Sequence, residues 1–280
     1  MDRLDATRPA KPDVQGLRAL QLAHLRAVPF ENLSIHLGEV ISLEPDALFD
    51  KVVGRRRGGF CYELNGLFAE LLTALGYRVT LLAARVFNGA TPGPLFDHLA
   101  LRVDLDDGPW LVDVGFGDFS DGPLRLDGRA EQRDGGGVFQ IGLAPGVPDG
   151  HGAPGTPDGH GGLGGHGGPG YFGDLDIAHD GDPAYRLTAR PYELADFVPT
   201  CWWQATSPKS HFTRSPVCSM RTARGRTTLR GRKLIQTVDG ERTERVLDET
   251  ELLPAYLDHF GITLDRVPSA GGDTVRAGRR

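Results

Sequence analysis

Residues 57–65 read Arg-Gly-Gly-Phe-Cys-Tyr-Glu-Leu-Asn and place one cysteine, Cys61, directly after a diglycine. From Leu64 onward the apolar residues recur at helical spacing, and Gly76 has the position of a residue that ends a helix. Cys61 therefore lies in the first turn of the predicted helix, where unpaired N–H groups, the helix dipole and the arginines at 55–57 favour a thiolate. A free cysteine is also often buried and inert, so the helix alone leaves that alternative open.

A histidine and an aspartate lie on two predicted strands further along the chain. Residues 97–103 and 110–114 flank the polar stretch 104–108, which is the pattern of a β-hairpin. In one register His98 lies directly opposite Asp113, and with the turn centred one residue later the two are diagonal neighbours on the same face. A three-residue loop or a bulge would place them on opposite faces. Either of the first two registers brings the carboxylate within reach of the imidazole.

Cys61, His98 and Asp113 together have the chemistry of a nucleophilic triad. A thiolate attacks, an imidazole takes up and returns its proton, and a carboxylate fixes the tautomer and stabilises the imidazolium. Their order along the chain is that of cysteine acyl-transfer enzymes of the papain type. Taken singly, the histidine and the aspartate are also consistent with structural residues of a sheet, and it is the set of three that points to acyl transfer.

At these motifs the chain resembles the arylamine N-acetyltransferase family. The nucleophile segment at 57–65, the histidine before an apolar strand and the segment Val-Asp-Val-Gly-Phe-Gly at 112–117 each have a counterpart in that family. Two further stretches are similar, Val-Pro-Phe-Glu-Asn-Leu at 28–33 and Thr-Ser-Pro-Lys-Ser-His-Phe at 206–212. The resemblance therefore covers motifs from the start of the chain to its last third.

The resemblance implies acetyl transfer in two half-reactions. Cys61 would take the acetyl group from acetyl-coenzyme A, and a small aromatic amine or hydrazine would then accept it. His98 would serve as acid and base, Asp113 would orient it, and an N–H at or beside Cys61 would stabilise the oxyanion. No metal is expected to take part.

Three phenylalanines inside the family motifs are candidate substrate-binding residues. In the family, the positions of Phe30, Phe116 and Phe212 face the acceptor cleft, and a flat apolar acceptor is best held by aromatic faces. Ordinary core packing is the alternative for each of them. Glu31 and Arg57 are expected to form a charge pair behind the site.

Other functions remain open from the sequence. An amide synthase that releases a polyketide as a macrolactam would use the same chemistry with another acyl group, and a cysteine hydrolase or transglutaminase would use the same triad. A non-catalytic metal-binding protein is a further alternative, because His151, His160 and His166 are possible ligands for a transition metal. These histidines lie in a Gly/Pro/His tract at 142–170, which is predicted to form a flexible surface loop without fixed ligand geometry.

The predicted fold class is α+β. Residues 1–83 are predicted to form a helical bundle that carries the nucleophile, residues 84–190 a β-rich region with the histidine and aspartate, and residues 191–280 an α/β region. The last region contains a hairpin signal at Asp239-Gly240 and a final helix that ends at Gly261. The resemblance implies a helical bundle, a central β-barrel and a C-terminal α/β lid around a papain-like Cys-His-Asp core.

Composition predicts a cytoplasmic enzyme that binds neither nucleic acid nor membrane. The 280-residue chain has a net charge of −6 and no broad basic surface, although a local basic patch is enough for coenzyme A. It has no apolar signal segment at its start and no apolar stretch long enough to span a membrane. Its 3 cysteines are odd in number and widely spaced, which favours reduced thiols, and Cys201 and Cys218 are interpreted as structural.

Overall fold

A computed structural model describes residues 1–145 and 173–269 of the chain. The fold is α+β, as predicted, with helices first, a curled antiparallel sheet in the middle and an α/β region at the end. The prediction of a flexible loop at 142–170 and the metal hypothesis built on its histidines fall almost entirely outside the described residues. Both therefore stay predictions.

Helices form most of the first quarter of the chain. They are α1 (Val14–Ala27), α2 (Leu33–Leu37), α3 (Pro45–Phe49) and α4 (Cys61–Ala74), with a 3-10 turn at Asp2–Leu4, a π-helical turn at Asp50–Gly54 and a short strand β1 (Phe30–Glu31) between α1 and α2. Asp13 is the N-cap of α1, and its carboxylate accepts a hydrogen bond from the Gly16 N–H. One apolar face of α4 packs through Leu64 and Phe68 into the core of this region.

An antiparallel sheet of nine strands forms the middle of the described chain. Its strands are β2 (Arg78–Asn88), β3 (Thr91–Pro92), β4 (His98–Leu105), β5 (Gly108–Val112), β6 (Leu124–Arg125), β7 (Gln132–Asp134), β8 (Gly137–Leu143), β9 (Leu175–His179) and β10 (Asp182–Tyr192). The order is β6-β5-β4-β2-β10-β9-β8-β7, with β3 on β2. Leu124 of β6 and Phe139 of β8 meet in one buried core, so strands from both ends of this order enclose it. The sheet is thus a nearly closed barrel.

The C-terminal region combines α5 (Val198–Thr206) and α6 (Glu249–Phe260) with four strands. The strands are β11 (Val217–Thr222), β12 (Gly225–Arg230), β13 (Lys233–Val238) and β14 (Glu241–Val246). They confirm the predicted hairpin at Asp239-Gly240 and the final helix that ends before Gly261. The division of the chain at residues 83 and 190 stays a prediction.

The short strand β1 ties the first part of the chain to the last. Phe30 pairs with Ser219 and Glu31 with Cys218, so β1 is the edge strand of the C-terminal sheet. This pairing could not be predicted from local sequence patterns, because a two-residue strand shows no alternation and its partner lies far along the chain. The pairing brings Phe30 beside the C-terminal region.

The hairpin of β4 and β5 adopts the second of the two predicted registers. Leu101 lies opposite Val112 and Leu105 opposite Gly108, which leaves a two-residue turn between the strands. In this register His98 and Asp113 are diagonal neighbours on one face of the sheet. α4 packs against β4 through its apolar face, with Leu101 in the shared core. The start of α4 is therefore held beside the start of β4.

Candidate active site

Cys61 is the first residue of α4 and lines a cleft of about 430 Å³. The helix begins without a polar N-cap side chain, but the Glu63 carboxylate accepts a hydrogen bond from the N–H of Phe60 at 3.2 Å. Gly115, which follows β5, is packed directly on this turn, because a Cβ at that position would lie 2.7 Å from the Cys61 Cα. A glycine is thus required for the segment after β5 to approach Cys61 this closely.

The electrostatic surroundings of Cys61 differ from the sequence-based expectation. Burial raises the pKa of the Cys61 thiol well above its ordinary value, and a backbone hydrogen bond with Leu99 acts in the opposite direction. Two arginines of the run at 55–57 are already paired with carboxylates, Arg57 with Glu31 at 2.9 Å and Arg55 with Asp50 at 3.0 Å. A base beside the sulfur is therefore needed to form the thiolate.

His98 is the candidate for that base. Its Nε2 lies 2.7 Å from Oδ2 of Asp113, and both side chains are buried. The same imidazole lines the cleft together with Cys61. Its Nδ1 has no hydrogen-bond partner in the described residues, so this nitrogen is the one available to a thiol proton.

Asp113 receives hydrogen bonds from four donors. His98 Nε2 and the Tyr185 hydroxyl, at 2.7 and 3.1 Å, point at Oδ2, and the amide of Asn65 and the N–H of Gly115, both at 2.9 Å, point at Oδ1. Burial alone would raise the pKa of Asp113, but His98 and the hydrogen bonds outweigh it and hold this pKa below its usual range. The side chain is thus an ionised carboxylate with every acceptor position in use.

Tyr185 on β10 is a site residue that the sequence reasoning missed. Its ring centroid lies 5.2 Å from that of His98 and 5.0 Å from that of Phe116. Burial raises the pKa of its hydroxyl well above the ordinary value, so the group stays a donor. No local motif surrounds Tyr185. The one available signal was its inward position in the alternating pattern of a strand.

The three predicted aromatic residues all line the cleft that contains Cys61 and His98. The rings of Phe30 and Phe212 lie 6.3 Å apart, and the ring of Phe116 is 5.1 Å from the His98 imidazole. Each phenylalanine is half-buried, with part of its ring open to the cleft. Their placement is suitable for holding a flat apolar molecule next to the thiol.

A second cavity, of about 690 Å³, adjoins the cleft and is rich in cations. Most of these cations are already paired, in the ion pairs Arg221–Asp121, Arg226–Asp118, Lys233–Glu244 and Arg242–Glu244. Arg230 lines both the cleft and this cavity, and its side chain has no ion-pair partner in the described residues. An unneutralised guanidinium therefore marks the junction of the two spaces.

Residues 13–268 match the family model of the N-acetyltransferases. The chain is 33% identical to an arylamine N-acetyltransferase of Mycolicibacterium smegmatis, over 91% of this chain and 87% of the relative. The chain belongs to the arylamine N-acetyltransferase family.

Solved structures of the family have the same fold. The arylamine N-acetyltransferase of Salmonella typhimurium is 29% identical and superposes with a TM-score of 0.79, covering 97% of this chain and 92% of that chain. The Mycobacterium marinum enzyme in complex with CoA is 30% identical, with a TM-score of 0.75 over 93% of this chain and 90% of that chain. The chain is therefore an acyltransferase of this family.

Two buried ion pairs lie behind the turn that begins α4 at Cys61. Arg57 binds Glu31 at 2.9 Å, which confirms the expected charge pair, and Lys51 binds Glu63 at 2.7 Å. All four side chains are almost fully buried. Since Glu63 also accepts from the N–H of Phe60, the second pair helps to hold the residue before Cys61.

Removing Lys51 is expected to destabilise the fold in a pH-dependent way. Lys51→Met leaves the Glu63 carboxylate buried without a cation, which costs about 3–5 kcal/mol. Burial already raises the pKa of Glu63, and loss of Lys51 raises it further. A folded-state pKa above the unfolded value means that the folded state binds the proton more tightly, so the variant loses stability as pH rises from 5 to 8.

Chemical denaturation at pH 5 and at pH 8 measures the free energy of unfolding of the Lys51→Met variant. Glu63→Gln added to Lys51→Met should restore most of the lost stability and remove the added pH dependence. Lys233→Met is the matched control, because its pair with Glu244 is about half exposed and such pairs contribute at most about 1 kcal/mol. A Lys51→Met protein as stable at pH 8 as the control would contradict the prediction.

The described residues hold no cluster of histidine, cysteine, aspartate and glutamate side chains arranged to bind a metal ion. Within 1–145 and 173–269, no helix is long and apolar enough to cross a membrane.

Proposed function

We propose that this chain transfers an acetyl group from acetyl-coenzyme A to a small aromatic amine or hydrazine through an acetyl-Cys61 intermediate. The observation that carries the proposal is the arrangement of Cys61 and His98 in one cleft, with His98 Nε2 held by Asp113 at 2.7 Å. The relatives named as arylamine N-acetyltransferases, and the similar structure with CoA, support the choice of substrates.

In the first half-reaction His98 Nδ1 takes the thiol proton, and the Cys61 sulfur attacks the thioester carbonyl. The N–H of Cys61 is a suitable oxyanion donor, because the first N–H groups of a helix have no intrahelical acceptor. When the tetrahedral intermediate collapses, the bond from carbon to the coenzyme A sulfur breaks and His98 returns the proton to that sulfur. Asp113 stabilises the imidazolium between these steps.

In the second half-reaction the amine nitrogen attacks the carbonyl of acetyl-Cys61. His98 Nδ1 takes the proton that the nitrogen loses, and the Cys61 sulfur leaves and is protonated. Phe30, Phe116 and Phe212 hold the aromatic ring of the acceptor over the thioester, because all three present ring surface to the cleft. The enzyme returns to its starting state.

The basic cavity beside the cleft is the space for coenzyme A. A phosphorylated ligand needs positive charge that is not already neutralised, and Arg230 is the cation at the junction of the two spaces without an ion-pair partner in the described residues. The thioester would then extend from this cavity to Cys61.

Arg230→Gln is accordingly expected to raise the KM for acetyl-coenzyme A by about tenfold, the loss of one charge-assisted contact of roughly 1.5 kcal/mol. With p-nitrophenyl acetate, which carries no phosphate, the KM should change far less. Arg242→Gln is the control, because Arg242 faces the same cavity but is already paired with Glu244 at 2.6 Å. Equal effects of the two substitutions, or equal effects on both donors, would contradict this role for Arg230.

Steady-state kinetics test the proposed function. A ping-pong mechanism predicts parallel double-reciprocal lines when the arylamine is varied at several acetyl-coenzyme A concentrations. One equivalent of coenzyme A is expected to be released without an amine, whereas continued release over many turnovers in the absence of an amine would indicate a hydrolase instead. The reported relatives are named for N-acetyl transfer and give no support to an amide synthase, a hydrolase or a transglutaminase.

We also infer that the enzyme works in the cytoplasm and has three structural regions, divided at residues 83 and 190. The cysteines Cys61, Cys201 and Cys218 are all unbridged and buried, which suits a reducing compartment.

A further inference from the structure

A separate cavity of about 530 Å³ lies between the N-terminal turn Asp2–Leu4, α1 and α4. It has no lining residue in common with the cleft that contains Cys61. Its lining is mainly apolar and includes Val28, Val52, Leu67, Phe68 and Leu71. A cavity of this size with an apolar lining and few polar groups is typical of small-molecule sites.

His24 on α1 is a buried polar residue of this lining, which also includes the charged residues Asp2, Arg3 and Glu70. The side chain is 4% exposed, and its ring packs edge-on against Phe68 with the centroids 5.1 Å apart. Nδ1 is buried without a hydrogen-bond partner, and no described residue bonds Nε2 either. Burial lowers the pKa of His24 to about 3, so the ring is neutral at physiological pH and offers one donor and one acceptor.

An unpaired imidazole in an apolar setting is costly, and a ligand group could relieve that cost. The charges around the cavity limit which ligand fits. The Arg3 guanidinium donates to the carbonyl oxygens of Val52, Ala27 and Arg56, so three of its five N–H groups are engaged with the backbone. The carboxylates of Asp2 and Glu70 lie at the rim and repel anions.

We propose that this cavity is a second ligand site, for a small uncharged ring compound that carries one hydroxyl group. The hydroxyl pairs with the His24 imidazole, and the ring packs against Phe68 and the neighbouring aliphatic side chains. The site is independent of the acetyl-transfer proposal, since neither its residues nor its ligand enters that reaction.

The chain provides its own reporters for a binding test. It has 2 methionines, of which Met1 lines the cavity and Met220 packs in the C-terminal core. With the full chain labelled at the methionine methyl groups with 13C, titration with 4-propylphenol should shift the Met1 signal saturably and leave the Met220 signal in place. Propylbenzene, which lacks the hydroxyl, should bind at least about fivefold more weakly, and 4-propylbenzoate should not bind.

Two variants test whether the Met1 shift is caused by binding in this cavity. His24→Leu keeps an apolar side chain but removes both nitrogens, so 4-propylphenol and propylbenzene should then bind equally. Leu71→Trp fills the cavity and should abolish the Met1 shift, while an unmoved Met220 signal reports an intact fold. Absence of a Met1 shift in the unmodified chain, or a preference for the phenol that survives in His24→Leu, would overturn the proposal. Acetyl transfer is not a readout, so this outcome is separate from the proposed function.

Discussion

Cys61→Ala and Cys61→Ser are each expected to lower kcat/KM for arylamine acetylation by at least about 10³-fold while the protein stays folded. Alanine has no nucleophile, and a serine hydroxyl is far weaker than a thiolate at neutral pH. The buried site strengthens this expectation, because burial already raises the pKa of the Cys61 thiol and would oppose ionisation of a hydroxyl still more.

The measurement is the initial rate of arylamine-dependent coenzyme A release, with thermal unfolding as the check of the fold. Cys218→Ala is the matched control, since Cys218 is equally buried but lies in the C-terminal core with Leu229 and Tyr256. Its rate should stay close to that of the unmodified chain. Substantial turnover by either Cys61 variant would show that another group receives the acetyl.

Asp113→Asn is expected to lower kcat by about 10⁴-fold, as in other triads where the amide stabilises the wrong imidazole tautomer. The four donors around Asp113 explain why an amide fails here. If the new NH2 group faces His98, Nε2 must accept, the ring proton moves to Nδ1, and Nδ1 loses its capacity as a base. If the NH2 group faces the Asn65 amide and the Gly115 N–H instead, these two buried donors lose their acceptor and face another donor, which is energetically costly.

The size of the rate loss is measured with kcat for a fixed arylamine, and Asp106→Asn in the exposed hairpin turn is the control. Because triad residues act as a unit, Asp113→Asn added to Cys61→Ala should be no worse than Cys61→Ala alone. A nearly normal rate for Asp113→Asn would mean that the aspartate does not fix the His98 tautomer during the reaction.

Local patterns were enough to predict several parts of this molecule. The apolar spacing after Leu64 and the stop at Gly76 predicted α4 with Cys61 in its first turn, and the helix indeed begins at Cys61. The hairpin of β4 and β5 was predicted in two registers, and the structure has the one that makes His98 and Asp113 diagonal neighbours. Both features depend on residues close in sequence, for which periodicity and turn chemistry are informative.

Features that depend on distant residues could not be predicted in this way. Tyr185 reaches Asp113 from β10, which lies three positions from β5 in the strand order, and no motif surrounds it. The pairing of Phe30 with Ser219 joins two segments that lie far apart in the chain, and no local pattern predicts it. The pKa of Cys61 was expected to fall because the helix start and nearby arginines were visible in the sequence. The burial that raises this pKa is a result of tertiary packing.

In the proposed reaction Cys61 carries the acetyl group between the two substrates. The most direct test incubates the chain with acetyl-coenzyme A and no acceptor, then quenches, digests with trypsin and analyses the peptides by mass spectrometry. The peptide 58–78 contains Cys61 as its one cysteine. We predict one acetyl group on this peptide, lost when an arylamine is added before the quench. An unmodified 58–78 peptide, or an acetyl group on a peptide with Cys201 or Cys218 instead, would contradict the account.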